Sequence, residues 1–455
     1  MLNKQALHTL LDLDLPHGFS EVLIYAEQLT TRLTYACDFI FKHSLRVNFK
    51  VTSDSDFFKA SKAVRINYSS TEISGVFKVL PNGLLQQKMV SEKRPLPFIK
   101  KGLLYFYESE ENQDLNYDIF SSVFYFISRY EEWQTFEKDK HKRFEAKASI
   151  LYSGKFHLKP VVDLWIKEFA ECLTKFYPEL KFPEKKFKVI STIDVDNLFA
   201  YKAKGAIRTI GATAKDILKL DFKNLKERLL VLSGKKNDPF DIYAEVSDFC
   251  FESRIPLIYF FLFRTGTPHD RTVDPAYGAY QPVFKILKEN HALFGLHPSY
   301  ESSEKEGLMK AEIKDFRLKT KEEITLSRQH YLRFDIKSTP ALLLENGIEA
   351  DFTMGYASEP GFRAGTSHPF YYYNFNSEKA EELLFVPFCV MDGVYTVYED
   401  LSPLVAYEQM LQLAKEVKSV NGFFISVFHE RSFSDHLYEG FGILYKNLHS
   451  TLKGL

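Results

Sequence analysis

The stretch Phe187-Lys188-Val189-Ile190-Ser191-Thr192-Ile193-Asp194-Val195-Asp196-Asn197 decides how this chain is read. Its first part is an apolar run that predicts a buried strand. It ends on two carboxylates two residues apart, and side-chain alternation sends both to the same side of the strand end. Like charges so close repel, and each needs a partner. Such a pair suits a site where one carboxylate holds a metal and the other moves a proton.

Working outward from this strand, the pattern from residue 186 alternates between strand and helix. Candidate strands are 187–194, 255–263, 292–297, 350–354, 384–391 and 422–428, with helical stretches at 240–253, 281–291, 305–328, 338–346 and 402–419. This is a βα repeat around a parallel sheet, and the strand number favours a closed or nearly closed barrel. Residues 205–238 carry many Lys and Leu at helical spacing and read as a helical excursion near the mouth of the site. The boundary is expected near Pro183-Glu184-Lys185-Lys186, leaving 1–185 as a smaller α+β domain. There, Ser20 to Lys42 and Asp118 to Trp133 read as helices, as do residues 160–180. Val64 to Tyr68 and Gly75 to Leu80 read as strands. Asp139-Lys140-His141-Lys142-Arg143-Phe144 is a charged loop, either solvated or reaching into a neighbouring site.

Lys plus Arg total 59 and Asp plus Glu 60, a formal net charge of −1, so whole-chain charge steers the protein to neither nucleic acid nor an anionic membrane. Cys37, Cys172, Cys250 and Cys389 lie far apart, which argues against a zinc ribbon or a disulfide framework. No stretch approaches a transmembrane helix, and the first residues have no signal-peptide pattern, so a cytoplasmic location is expected.

In a βα barrel, reactive groups sit at the C-terminal ends of strands. After Asp194 and Asp196, Leu293-Phe294-Gly295-Leu296 ends at His297, followed by Pro298-Ser299-Tyr300-Glu301-Ser302. A later segment carries Arg363 and His368. Phe385 to Met391 ends at Asp392, and Phe423 to Phe428 ends at His429. One such coincidence is noise; four in chain order are not.

That order resembles the polysaccharide deacetylases of carbohydrate esterase family 4, the NodB-homology fold, over about residues 186–455. The resemblance implies a distorted (β/α)7 barrel and a metal-dependent enzyme that removes acetyl groups from N-acetylated sugars. Thr192-Ile193-Asp194-Val195-Asp196 is similar to the first family motif, which implies Asp194 as general base and Asp196 as metal ligand. His297 matches the first position of the second motif, but Glu301 stands where a second ligand His is expected. Arg363 matches the arginine that pairs with the base, Asp392 the carboxylate that orients a histidine, and His429 that histidine, the general acid.

The chemistry is self-consistent. Amide hydrolysis needs an activated water, an oxyanion stabiliser and an acid for the leaving amine. Zinc usually takes three protein ligands plus water. The third ligand is open between Glu301 and another group such as Ser299, Ser302 or His368, with the absence of a tight metal site as the remaining alternative. A carboxylate-rich site would also accept manganese, magnesium or iron. Tyr300, His368 and Tyr371 are candidates for contact with the sugar, and His330 is either structural or part of the cleft lining. The expected partner is thus an acetylated sugar or glycan, and the expected cytoplasmic location suits a precursor in surface-polysaccharide synthesis. Two other readings stand beside it: a glycan-binding protein without turnover, and a metal-free glycoside hydrolase with paired carboxylates.

Overall fold

The computed structural model describes residues 2–13, 18–109, 114–305 and 307–455. Near the N-terminus, β1 (Gly18–Ala26), β2 (Val47–Thr52), β3 (Val64–Tyr68) and β4 (Phe77–Lys78) form a parallel sheet in the order β2-β1-β3-β4. The predicted helix over Ser20–Lys42 therefore begins as a strand. Val22, Ile24 and Ala26 are buried in the main core, while Leu23 packs with Phe58 and Val76 on the other face. A strand buried on both faces shows no alternation, so its apolar run imitates a helix. The helical part starts at Thr31, where the Thr30 hydroxyl accepts from the Leu33 N–H.

An antiparallel hairpin of β5 (Pro97–Lys100) and β6 (Leu103–Phe106) follows. Helix Ile119–Ile127, capped by the Asp118 carboxylate, is buried along its whole length. It breaks at Arg129, whose φ of 55° lies in the left-handed region. That turn carries Glu131 and Glu132 into the interior.

The second sheet holds β7 (Lys188–Val195), β8 (Leu257–Leu262), β9 (Leu293–His297), β10 (Leu326–Ser327), β11 (Ala350–Asp351), β12 (Phe370–Asn374), β13 (Lys379–Phe385), β14 (Val390–Met391) and β15 (Phe423–His429). Its order is β12-β13-β11-β10-β9-β8-β7-β15-β14. All neighbours run parallel except β12 against β13. Among the described residues no ladder joins β14 to β12, so this is a curled half-barrel and not a closed one. The strand predicted over 384–391 is two strands, interrupted around Pro387-Phe388. The helix predicted over 305–328 stops at Thr320, and β10 follows it. Gly295 lets β9 and β10 approach, since a Cβ there would lie 2.6 Å from the Leu326 carbonyl oxygen.

One continuous apolar core extends from the first sheet through the second. Helix Phe441–Lys453 closes over β7 and β15: the Tyr445 hydroxyl lies 2.7 Å from Ser191 Oγ, and His449 Nε2 lies 3.0 Å from Ser426 Oγ. His449 Nδ1 faces the Tyr445 carbonyl at 2.9 Å, so Nδ1 carries the proton and Nε2 accepts. Burial lowers its pKa to about 4. The unfolded chain takes up a proton below about 6.5 that the folded chain refuses, so this contribution is complete above that pH and is lost as pH falls toward 4. We expect a loss of roughly 3 kcal/mol from this group across that window. Urea unfolding at pH 7 and pH 4.5 checks it. His449→Gln, which can keep both hydrogen bonds without titrating, should show a smaller drop between the two pH values than the wild type.

Candidate metal centre and catalytic cleft

The C-terminal ends of β7, β9, β10 and β15 open into a cleft of about 590 Å³ lined by Asp194, Asp196, His297, His330, His429 and Arg431, among others. The register places His429 directly opposite Asp194 across the β7–β15 ladder, so both strand ends present a titratable group to the same space.

Asp194 is buried, and its Oδ1 accepts from Arg328 Nη1 at 2.6 Å. The same nitrogen donates to Thr192 Oγ1 at 2.8 Å, and Arg328 Nε donates to the Phe352 carbonyl at 2.9 Å. The guanidinium lies 4.6 Å from the centre of the Phe260 ring, which holds its plane.

Asp196 faces two histidines. Its Oδ1 lies 3.4 Å from His297 Nε2 and 3.4 Å from His330 Nε2, yet it is buried with no hydrogen-bond partner. The other nitrogen of each ring is committed elsewhere. His297 Nδ1 donates to the Arg328 carbonyl at 2.5 Å, and His330 Nδ1 faces Asp270 Oδ1 at 3.0 Å. Both Nε2 lone pairs are therefore left for the space beside Asp196, the arrangement of histidines that ligate a metal. Burial pushes the His330 pKa down against the pull of Asp196, keeping the ring neutral as a ligand must be. Burial would raise the Asp196 pKa, but the Arg431 guanidinium outweighs it, and the carboxyl is held well below the usual range. Arg431 Nη1 donates to Asp196 Oδ2. Asp196, His297 and His330 thus offer three convergent donors, and an orphaned buried oxygen among them fits a divalent ion.

His429 Nδ1 donates to Asp392 Oδ1 at 2.6 Å, and the Asp392 carboxylate also accepts the His429 N–H and the Ser432 hydroxyl. Burial alone would lower the His429 pKa, but the Asp392 charge overrides it and raises it to about 9. Neighbouring Glu430 accepts the backbone N–H groups of Asp196 and Asn197, which fixes the loop after β7. Its own pKa is pushed up to about 8 by burial and by the charge of Asp196.

Several expectations need correction. Arg363 does not meet Asp194. Its Nε and Nη2 bind Glu132 Oε1 and Oε2 at 2.9 and 2.7 Å, both residues being buried. The segment after Gly361 feeds β12, an edge strand six places from β7 in the sheet, and its guanidinium meets the inward-turned Glu132 instead. Glu301 points away from the cleft into an ion pair with Lys305 at 2.5 Å. Pro298 and the Ser299–Glu312 hydrogen bonds start a turn that carries it outward. Ser299 Oγ donates to Glu312 and Ser302 Oγ to the Ser299 carbonyl, and neither serine lines the cleft. His368 lies beside Lys185 Nζ at 2.9 Å and beside the ring of Phe423, the first residue of β15, and therefore at the other end of the sheet. Tyr371 sits on the edge strand β12 with its carbonyl accepting from the Tyr35 hydroxyl. Tyr300 stands behind the rim, stacked at 3.9 Å on His269, which lines the cleft, while its N–H holds Asp270.

The residues missed from the sequence are Arg328 and Asp270; His330, read there as structural or as cleft lining, lines the cleft and stands beside Asp196. The charged loop 139–144 also reaches the cleft: Arg143, held by Asp139, donates to the Tyr331 carbonyl at 3.0 Å and to the Tyr398 hydroxyl at 3.1 Å.

Residues 22–178 match the model of a family of unknown function (DUF7033). No curated protein matches the chain. Among solved structures, the chain is similar to a putative polysaccharide deacetylase from Mycobacterium smegmatis, with 14% identity, a TM-score of 0.40, and coverage of 61% of this chain and 87% of that one. It is also similar to a CE4 family pseudoenzyme from Bacillus anthracis, with 7% identity, a TM-score of 0.26, and coverage of 58% and 62%. A mutant of that pseudoenzyme with restored enzymatic activity matches at 8% identity and a TM-score of 0.27, covering 58% of this chain and 64% of that one.

Proposed function

We propose that this chain is a metal-dependent hydrolase that removes an N-acetyl or related acyl group from a sugar or glycan. The observation that carries the reading is the orphaned Oδ1 of Asp196 facing two histidine Nε2 atoms, with a held carboxylate and a held imidazole on either side. Asp196, His297 and His330 would hold the ion, and a carboxylate with two imidazoles suits zinc, with iron or manganese also compatible. When bound, a divalent ion supplies a Lewis acid for the acyl carbonyl and acidifies water.

The chain's own groups then divide the proton work. Asp194, held in place by Arg328, takes a proton from the attacking water as its oxygen bonds to the acyl carbon. His429, charged because Asp392 faces Nδ1, donates from Nε2 to the amide nitrogen as the C–N bond breaks. Acetate and a free amine result. Loop 139–144 gives residues 1–185 a place at the cleft wall, and we read that region as a domain that shapes substrate access.

The ion pair of Arg431 with Asp196 favours a second reading, a sugar-binding protein without turnover, because it balances the charge of Asp196 with no ion. Metal analysis of chelator-stripped and reconstituted protein, beside acetate release from a panel of N-acetylated sugars, separates the two. About one divalent ion per chain with acetate release supports the hydrolase. Sugar binding with neither metal nor acetate supports the second reading.

A further inference from the structure

Between β7 and β8 lie helices Ala206–Leu218 and Phe222–Leu232, and their polarity is inverted. Of their three buried side chains two are polar, Asp216 and Arg228, paired at 2.8 Å, the third being Val231, and Asn224 donates to Asp216 at 2.8 Å. Most of the large apolar side chains face out. Ile207, Ile210, Ile217 and Leu218 are 88%, 69%, 51% and 84% exposed, and Leu220, Phe222, Leu229 and Leu232 are exposed with them. The spacing of 207, 210, 217 and 218 forms one stripe along the first helix, and that of 222, 229 and 232 one along the second. A hairpin that serves only to fill space would bury these and expose the ion pair.

The flanks carry the complementary signal. Between residues 204 and 236 there are nine Lys and Arg and three Asp and Glu, although the whole chain carries a net charge of −1. Asp216 is spent on Arg228, Glu227 on Lys236, and Asp221 on capping the second helix. Lys215, Lys219, Lys223 and Lys226 are exposed, and among the described residues none is in an ion pair. An exposed apolar stripe flanked by unpaired lysines is the signature of a helix that lies in an anionic bilayer surface.

We propose that the 206–232 hairpin docks the protein on the surface of an anionic lipid membrane without crossing it. The hairpin is tied to the mouth of the cleft: Arg208 donates to the carbonyls of Arg271 and Thr272, and Lys204 donates to Asn197, with Arg271 and Asn197 both lining the cleft. Docking therefore brings the cleft to the membrane interface. The proposal stands apart from the reading of the cleft, since vesicle binding requires no turnover.

Flotation of the full chain with phosphatidylglycerol–phosphatidylcholine vesicles, against phosphatidylcholine alone, tests it. The expected result is at least about tenfold stronger partition onto the anionic vesicles, weakened by salt. Two variants, one carrying Ile207→Ser, Ile210→Ser, Leu218→Ser and Phe222→Ser, the other Lys215→Gln, Lys219→Gln, Lys223→Gln and Lys226→Gln, should each lose about tenfold or more while keeping the wild-type thermal midpoint. Absence of binding to anionic vesicles overturns the proposal, as does equal binding by both variants. A dimer in solution that the serine variant dissociates, without vesicle binding, also overturns it and assigns the stripes to a second copy of the chain.

Discussion

Arg328→Met is expected to abolish acetate release and to cost about 3–5 kcal/mol of folding stability, because it leaves the buried carboxylate of Asp194 without its cation. Without the guanidinium, Asp194 Oδ1 also loses the hydrogen bond that aims it into the cleft, so it no longer meets the attacking water in position. The stability loss alone would not separate a positioning role from a structural one. The double variant Arg328→Met with Asp194→Asn removes the stranded charge and should recover most of the stability while turnover stays lost. Arg363→Met is the contrast. It strands Glu132, which still has Arg129 at 2.9 Å, so a smaller stability loss is expected with kcat per folded molecule unchanged. Urea titrations and acetate-release kinetics on the four proteins decide the matter. Full turnover in Arg328→Met, or its loss in Arg363→Met, would return Arg363 to the role the sequence motif suggested.

The difference between Arg363 and Arg328 shows where sequence reading stopped. Long apolar runs ending in a titratable residue were legible: 187–194, 292–297 and 422–428 became β7, β9 and β15, delivering Asp194, Asp196, His297 and His429 to one cleft. The ladder then gave Asp194 and His429 a common register, which no single run contains. β10 was missed because it is two residues long and follows a true helix, so the helical period ran on over it. A signal was present. Ile324 and Leu326 are both fully buried and alternate with Thr325 and Ser327, a period of two that ends in Arg328 and His330. Arg363 was misassigned for a different reason. Its partner Glu132 lies 231 positions earlier in the chain, and only the left-handed turn at Arg129 brings that carboxylate inward. The inverted hairpin was legible as helix and as Lys-rich, but which face is buried depends on the Asp216–Arg228 pair, a tertiary fact.

The placement of His330 leads to the largest effect expected on ligand binding. His330→Ala and Asp196→Ala should each weaken divalent-ion affinity by more than about 100-fold, since losing an outer-shell partner of a ligand alone typically costs 10–100-fold. Asp270→Asn, which alters only the group facing His330 Nδ1, should fall in that smaller range, and Glu301→Ala should bind as the wild type does. Chelator competition gives the affinities. Cobalt substitution, with an absorption band that reports the ligand set, reads the site without turnover. If Glu301→Ala lost the ion and His330→Ala kept it, the Asp–His–His site would be wrong. Arg431→Ala supplies the sign that separates the two functional readings. Its guanidinium competes with any ion for the charge of Asp196, so its removal should tighten ion binding if the ion belongs there. If the guanidinium is instead the resident counter-charge of a sugar-binding cleft, its removal strands a carboxylate flanked by His297, His330 and Glu430. The protein should then lose stability that added zinc does not restore.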